Sequence, residues 1–124
     1  MFQLNASLEP SKVTVTSIDE TFLKRLMSEI EKGITDTDFS INALERELGM
    51  SHTSFYHKIK SITGQSANDL VFSVRMKRAK QILEDTHNIR VSEVAYMVGF
   101  SDPKYFSKRF KEFYGVSPSN FIKK

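Results

Sequence analysis

The sequence predicts an all-α chain: about seven helices forming two helix-turn-helix subdomains joined by a long linking helix. Three observations lead there. Only 5 Gly and 3 Pro interrupt 124 residues, so little punctuates the chain. Beyond residue 16, apolar side chains recur at steps of three and four, the spacing of one helix face. A helix, turn, helix pattern also occurs twice, about 50 residues apart.

The elements follow in order. Residues 1–16 hold Pro10, a short Val13, Val15 alternation and no helical face, which predicts a linker to a longer protein. Ser17 and Glu20 have capping-box spacing, and Phe22, Leu23, Leu26, Met27 and Ile30 form one face until Gly33. Ser40 caps a short second helix with Ile41, Leu44 and Leu48 inward and Gly49 at its end. Ser51 caps a third, built on Phe55, Ile59 and Ile62 and closed by Gly64, so the first helix-turn-helix unit covers about 40–64.

Ser66 with Asp69 opens the linking helix of about 66–85, whose buried stripe is Phe72, Met76, Ala79 and Leu83 with Ile82 beside it. Val91, Val94 and Val98 build a fifth helix ending at Gly99. Ser101 caps a sixth, in which Tyr105, Phe106, Phe110 and Phe113 are mainly core and Pro103 sits in the first turn, where no amide donor is needed. The second unit is thus about 91–114, and Ser117 with Pro118 starts a final short helix carrying Phe121 and Ile122.

At an offset of 50, Ile41, Leu44, Leu48, Gly49 and Ser51 fall on Val91, Val94, Val98, Gly99 and Ser101. After one inserted residue, Phe55, Ile59, Lys60, Ile62, Gly64 and Ser66 fall on Phe106, Phe110, Lys111, Phe113, Gly115 and Ser117. Each copy has the grammar of a helix-turn-helix: short helix, Gly turn, capping Ser, second helix.

Composition removes several function classes. With no Cys there is neither a disulfide framework nor a thiolate zinc site. No run approaches the roughly 18 apolar residues of a membrane span, and Met1–Ser11 lacks a signal-peptide pattern, so a cytoplasmic location without membrane contact is expected. His52, His57 and His87 have no metal-ligand spacing and are expected at the surface; no glycine-rich phosphate loop or nucleophile elbow is present. Neither catalysis nor a cofactor is expected.

The net charge of +3 is small, yet it is unevenly spread: −3 over residues 1–39, +2 over 40–85 and +4 over 86–124. The apolar stripes settle which side chains of the two second helices face outward. They are Thr53, Tyr56, His57 and Lys60 in the first copy, and Lys104, Ser107, Lys108 and Lys111 in the second. Neither set contains a carboxylate, in a chain with 15. Outward residues of such helices read base edges in a major groove, while Lys side chains and helix N-termini take phosphates. The linking helix, roughly 30 Å long at about 1.5 Å per residue, is close to the spacing of about 34 Å between successive major-groove faces. Arg75, Lys77, Arg78 and Lys80 on that helix are expected as a solvated face, Arg75 with an internal partner.

The stretch Val91-Ser92-Glu93-Val94-Ala95, then Val98-Gly99-Phe100-Ser101-Asp102-Pro103-Lys104-Tyr105-Phe106-Ser107-Lys108-Arg109-Phe110-Lys111, closing on Gly115-Val116-Ser117-Pro118, resembles the signature of the AraC/XylS-type DNA-binding domain. Arg75, Met76, Ala79, Ile82 and Leu83 fit that family's linking helix, and the resemblance covers about residues 19–122. It implies sequence-specific binding of double-stranded DNA by a bacterial transcription regulator. Base contacts would come from Thr53, Tyr56, His57, Lys104, Ser107 and Lys108, with an apolar contact from Pro103. Phosphate contacts are expected at Ser51, Lys60, Ser101 and Lys111. RNA polymerase is a further partner the family admits, through Asp102, though a carboxylate there is first explained by the helix dipole. Glu45 departs from the family's small residue, which the second unit keeps as Ala95, and this bears on how tightly the second helix packs.

Residues Leu8–Thr16 and His57–Ser66 are further similar to the C-terminal ends of hybrid two-component sensor-regulators, which implies sensor and receiver domains upstream. Two other readings stand beside this one. His57, Ile59 and Lys60 echo a histidine phosphotransfer motif, with Ser61 where that motif has Gly. A helical protein-interaction module is the other, and it predicts no salt-dependent DNA binding.

Overall fold

Ser and Gly set several of the helix ends. In the computed structural model, which describes residues 17–123, α1 is Ser17–Gly33, α2 Ile41–Leu48, α3 His52–Thr63, α4 Ala67–Asp85, α5 Val91–Met97 and α6 Pro103–Tyr114. A 3₁₀ turn, Pro118–Phe121, follows. The linker assigned to residues 1–16 lies outside the described residues. No β-strand occurs among these, only a single bridge of His87 with Lys123, and none of the helices is long and apolar enough to cross a membrane.

Ser40 Oγ accepts from the Ala43 amide at 3.1 Å, and Ser66 Oγ from the Asp69 amide at 3.1 Å, as N-caps do. Ser17 differs from expectation: it is already helical, and its carbonyl accepts from Thr21 Oγ1 at 3.0 Å. The helices group into two compact units, one comprising the described part of Met1–Lys32 with Ser40–Ser73, the other Gly33–Phe39 with Val74 onward.

In the first unit the core is Leu23, Leu26 and Ile30 of α1, Leu44 and Leu48 of α2, Phe55, Ile59 and Ile62 of α3, and Leu70 and Val71 at the start of α4. Phe22 and Met27 are only half-buried. Phe22 serves instead as a platform for Lys58, whose ammonium stands 4.9 Å from the ring centroid and 3.8 Å from Asp19. The Arg25 guanidinium donates to the Glu47 carbonyl at 2.6 Å, satisfying an acceptor in the last turn of α2.

In the second unit Ile34, Val74, Met76, Ala79, Leu83, Val94, Ala95, Val98, Phe106 and Phe110 are buried. Aromatic rings run through it: Phe100 meets Phe106 at 5.3 Å, Phe106 meets Phe110 at 5.7 Å, and Phe110 meets Tyr114 at 4.7 Å and Phe121 at 5.8 Å. Burial, with Glu84 nearby, pushes the Tyr114 phenol up to about 12.

Three expectations need correction here. Tyr105 and Phe113 are exposed rather than core: Phe106 and Phe110, four residues apart, already fill the buried face of α6, and these two flank it. Tyr105 Oη instead accepts from Arg109 at 2.9 Å. In α4, Phe72 is half-buried, while Leu70, Val71 and Val74 carry burial that the stripe omitted. Nor do Arg75, Lys77, Arg78 and Lys80 form a solvated face, since all four are half-buried. Lys80 lies over the rings of Tyr114 and Phe121, at 5.5 and 5.4 Å, and burial lowers the Lys77 pKa. The expected internal partner of Arg75 is backbone: its guanidinium donates to the carbonyls of Ile34 and Val98, both at 2.6 Å.

Candidate nucleic-acid interface

Each unit holds a two-helix motif whose turn is built identically. Gly49, at φ 66°, donates its amide to the Arg46 carbonyl at 3.1 Å, and Met50 donates to Glu45 at 3.0 Å. Gly99, at φ 88°, donates to Tyr96 at 3.1 Å, and Phe100 donates to Ala95 at 2.9 Å. Both are the paired bonds of a helix closed by a left-handed residue. The fifth helix therefore ends at Met97, with Gly99 in the turn.

The copies diverge at the next step. Ser51 caps α3 by accepting from the Ser54 amide at 3.2 Å, but α6 is capped by Asp102, whose Oδ1 accepts from Lys104 N at 3.0 Å and Tyr105 N at 3.4 Å. The expectation that Ser101 caps this helix is thus corrected. Ser101 is the inserted residue: the turn bonds match at an offset of 50 through Phe100, and the caps match at 51. Asp102→Ala is expected to lower stability by about 1 kcal/mol in urea titration, the usual cost of a lost cap, while Ser101→Ala leaves it unchanged.

From their caps onward the two helices keep one register. Each spans 12 residues and ends at a left-handed glycine, Gly64 or Gly115. Thr53 therefore corresponds to Lys104, Tyr56 to Ser107, His57 to Lys108 and Lys60 to Lys111. Thr53, Tyr56, His57, Lys60, Lys104, Lys108 and Lys111 are exposed, opposite buried Phe55 and Ile59 or Phe106 and Phe110, while Ser107 and Pro103 are half-buried. Ser51 and Ser101 are exposed at the turns. The Tyr56 and His57 rings meet edge to face at 5.4 Å.

Electrostatically the outward lysines differ from their neighbours. Lys58 is engaged with Asp19, and Arg109 with Glu112 at 3.2 Å and Tyr105. Lys60, Lys104, Lys108 and Lys111 have no ion-pair partner among the described residues. The cap Asp102 is occupied by amides and Glu112, the one acid within α6, by Arg109. Each face therefore presents uncompensated positive charge and hydrogen-bond donors, suited to a polyanion with readable acceptors.

One pair escaped the sequence reading. Glu45 is buried, and its Oε2 lies 2.7 Å from Nδ1 of exposed His52, the first residue of α3. The carboxylate is thus accommodated in the packed helix by an imidazole across the turn. Its signal was Ala95 at the equivalent place in the second copy, where no acid occurs.

The helix-turn-helix domain family matches residues 44–124. A protein described as histidine kinase P4, from Formosa agariphila, is 40% identical over 114 residues, which is 92% of this chain but 8% of that relative. The C-terminal domain of AraT, a response regulator from Geobacillus stearothermophilus, superposes with a TM-score of 0.73 at 30% identity, over 79% of this chain and 80% of that one. The C-terminal domain of the two-component response regulator YesN from Fusobacterium nucleatum gives 0.75 at 28% identity, over 83% and 99%.

Proposed function

The chain belongs to the AraC-type helix-turn-helix DNA-binding domains, and from that premise we propose that it is the sequence-reading output domain of a larger bacterial, cytoplasmic transcription regulator. Helices α3 and α6 enter successive major grooves of a duplex. Lys104 and Lys108 address guanine O6 and N7, His57 a purine N7, and Tyr56 a thymine methyl, with Thr53 and Ser107 as short donors and Pro103 as an apolar contact. Lys60 and Lys111, with Ser51 and Ser101 at the turns, hold phosphates. Sensor and receiver domains precede this part of the chain and control it, and the regulated step is transcription by RNA polymerase.

The supporting observation is the common register of α3 and α6, which sets uncompensated Lys60 and Lys111 on equivalent outward positions and puts uncompensated Lys104 and Lys108 where α3 has Thr53 and His57. Duplex binding measured from about 50 to 200 mM salt should fall with a log–log slope of magnitude at least about 1.8, each phosphate neutralised by a lysine contributing about 0.9. Lys111→Ala should flatten that slope by about 0.9 and weaken all sequences alike. A flat salt response would sink the proposal and leave a protein-interaction module in its place.

A further inference from the structure

We infer that Glu45 positions His52 as an additional DNA phosphate contact of the first unit, one that binds in the protonated state. The inference rests on the DNA-binding proposal and adds a residue and a proton to it. Glu45 stands where the second copy has Ala95, so the fold does not require an acid there. Yet the carboxylate is buried, with 8% of its side chain exposed, while the His52 side chain is 76% exposed. A buried carboxylate needs a donor, and the imidazole provides it at 2.7 Å through Nδ1. Among the described residues Glu45 is the one ionisable group that hydrogen-bonds or ion-pairs with the ring.

This contact decides what the other ring nitrogen offers. With the Nδ1 hydrogen held by Glu45, a neutral ring leaves Nε2 as a bare acceptor, which repels a phosphate oxygen. Once protonated, Nε2–H becomes a charged donor, and the ring orientation is already set from below. His52 lies one residue before Thr53 and next to the cap Ser51, on the edge of the face that carries Tyr56 and His57. Only the charged ring can hold a phosphate there, so this contact makes duplex affinity depend on pH. Glu45 has no contact of its own with DNA; it acts through His52.

The test uses the whole chain and a selected target duplex, with affinity measured against salt at pH 6 and pH 8.5. His52→Ala should weaken binding about tenfold at pH 6, flatten the salt slope by about 0.9, and leave pH 8.5 unaffected. Glu45→Gln, which keeps the volume, should lower affinity at pH 6 by a smaller factor, and should have no effect in a His52→Ala background. His52→Lys should restore the slope at both pH values. Wild-type slope and pH profile in His52→Ala would overturn the inference while leaving the DNA-binding proposal intact. A wild-type chain that fails to bind duplex at either pH would instead overturn that proposal.

Discussion

Gly99→Ala is expected to cost about 2.5–5 kcal/mol of folding stability, against about 1–2 for Gly49→Ala, although the two glycines do the same task in the two copies. Both sit in left-handed backbone, at φ 88° and 66°, where any L side chain costs about 1–2 kcal/mol. Around Gly49 there is open space for a methyl group. At Gly99 the added carbon would collide with the Arg75 guanidinium and the Ile34 carbonyl. Moving Arg75 away strips the Ile34 and Val98 carbonyls of their charged donor, which adds about 1.5–3 kcal/mol. Urea titration of both variants measures the difference. In an Arg75→Met background the excess penalty at Gly99 should shrink; equal costs at the two glycines in wild type would show that the guanidinium contact carries no energy.

The second large effect concerns recognition. Replacing Lys104 and Lys108 together by Ala should lower affinity for the selected target by about 30-fold to 10⁴-fold, at about 1–3 kcal/mol for each base-specific contact. Both side chains are exposed and neither holds an ion pair within the described residues, so folding should be unaffected. Competition binding with the target and a scrambled duplex separates the two terms. Affinity for the scrambled duplex should change little beyond the loss of two charges. An equal loss on both duplexes would assign these lysines to phosphates only and move specificity to Thr53, Tyr56 and His57.

Local rules made much of this legible from the residues. Ser40, Ser51 and Ser66 cap the helices they were expected to cap, because a hydroxyl in extended backbone before an apolar stripe has few other roles. Gly49, Gly64, Gly99 and Gly115 fell at left-handed turns for the corresponding reason. The outward positions of α3 and α6 followed from the buried pairs Phe55, Ile59 and Phe106, Phe110. What was missed depends on contacts between distant parts of the chain. Ser101 and Asp102 are both competent caps, and only the path of the turn chooses between them. Arg75 was expected to have an internal partner, but that the partners are the carbonyls of Ile34 and Val98, 41 and 23 residues away, is set only by the fold. Tyr105 and Phe113 have helical apolar spacing, but periodicity does not report where a packed face ends.

The extra residue at Ser101 falls wholly outside the recognition helices. Upstream of it the copies differ by 50 and downstream by 51, so neither α3 nor α6 is rotated relative to its own cap. The outward residues are therefore interchangeable letters on a shared ruler. Writing Lys, Ser and Lys into positions 53, 56 and 57, beside the Lys already at 60, would give α3 the same outward letters as α6 at these four positions, and the base preference of the first unit should move toward that of the second.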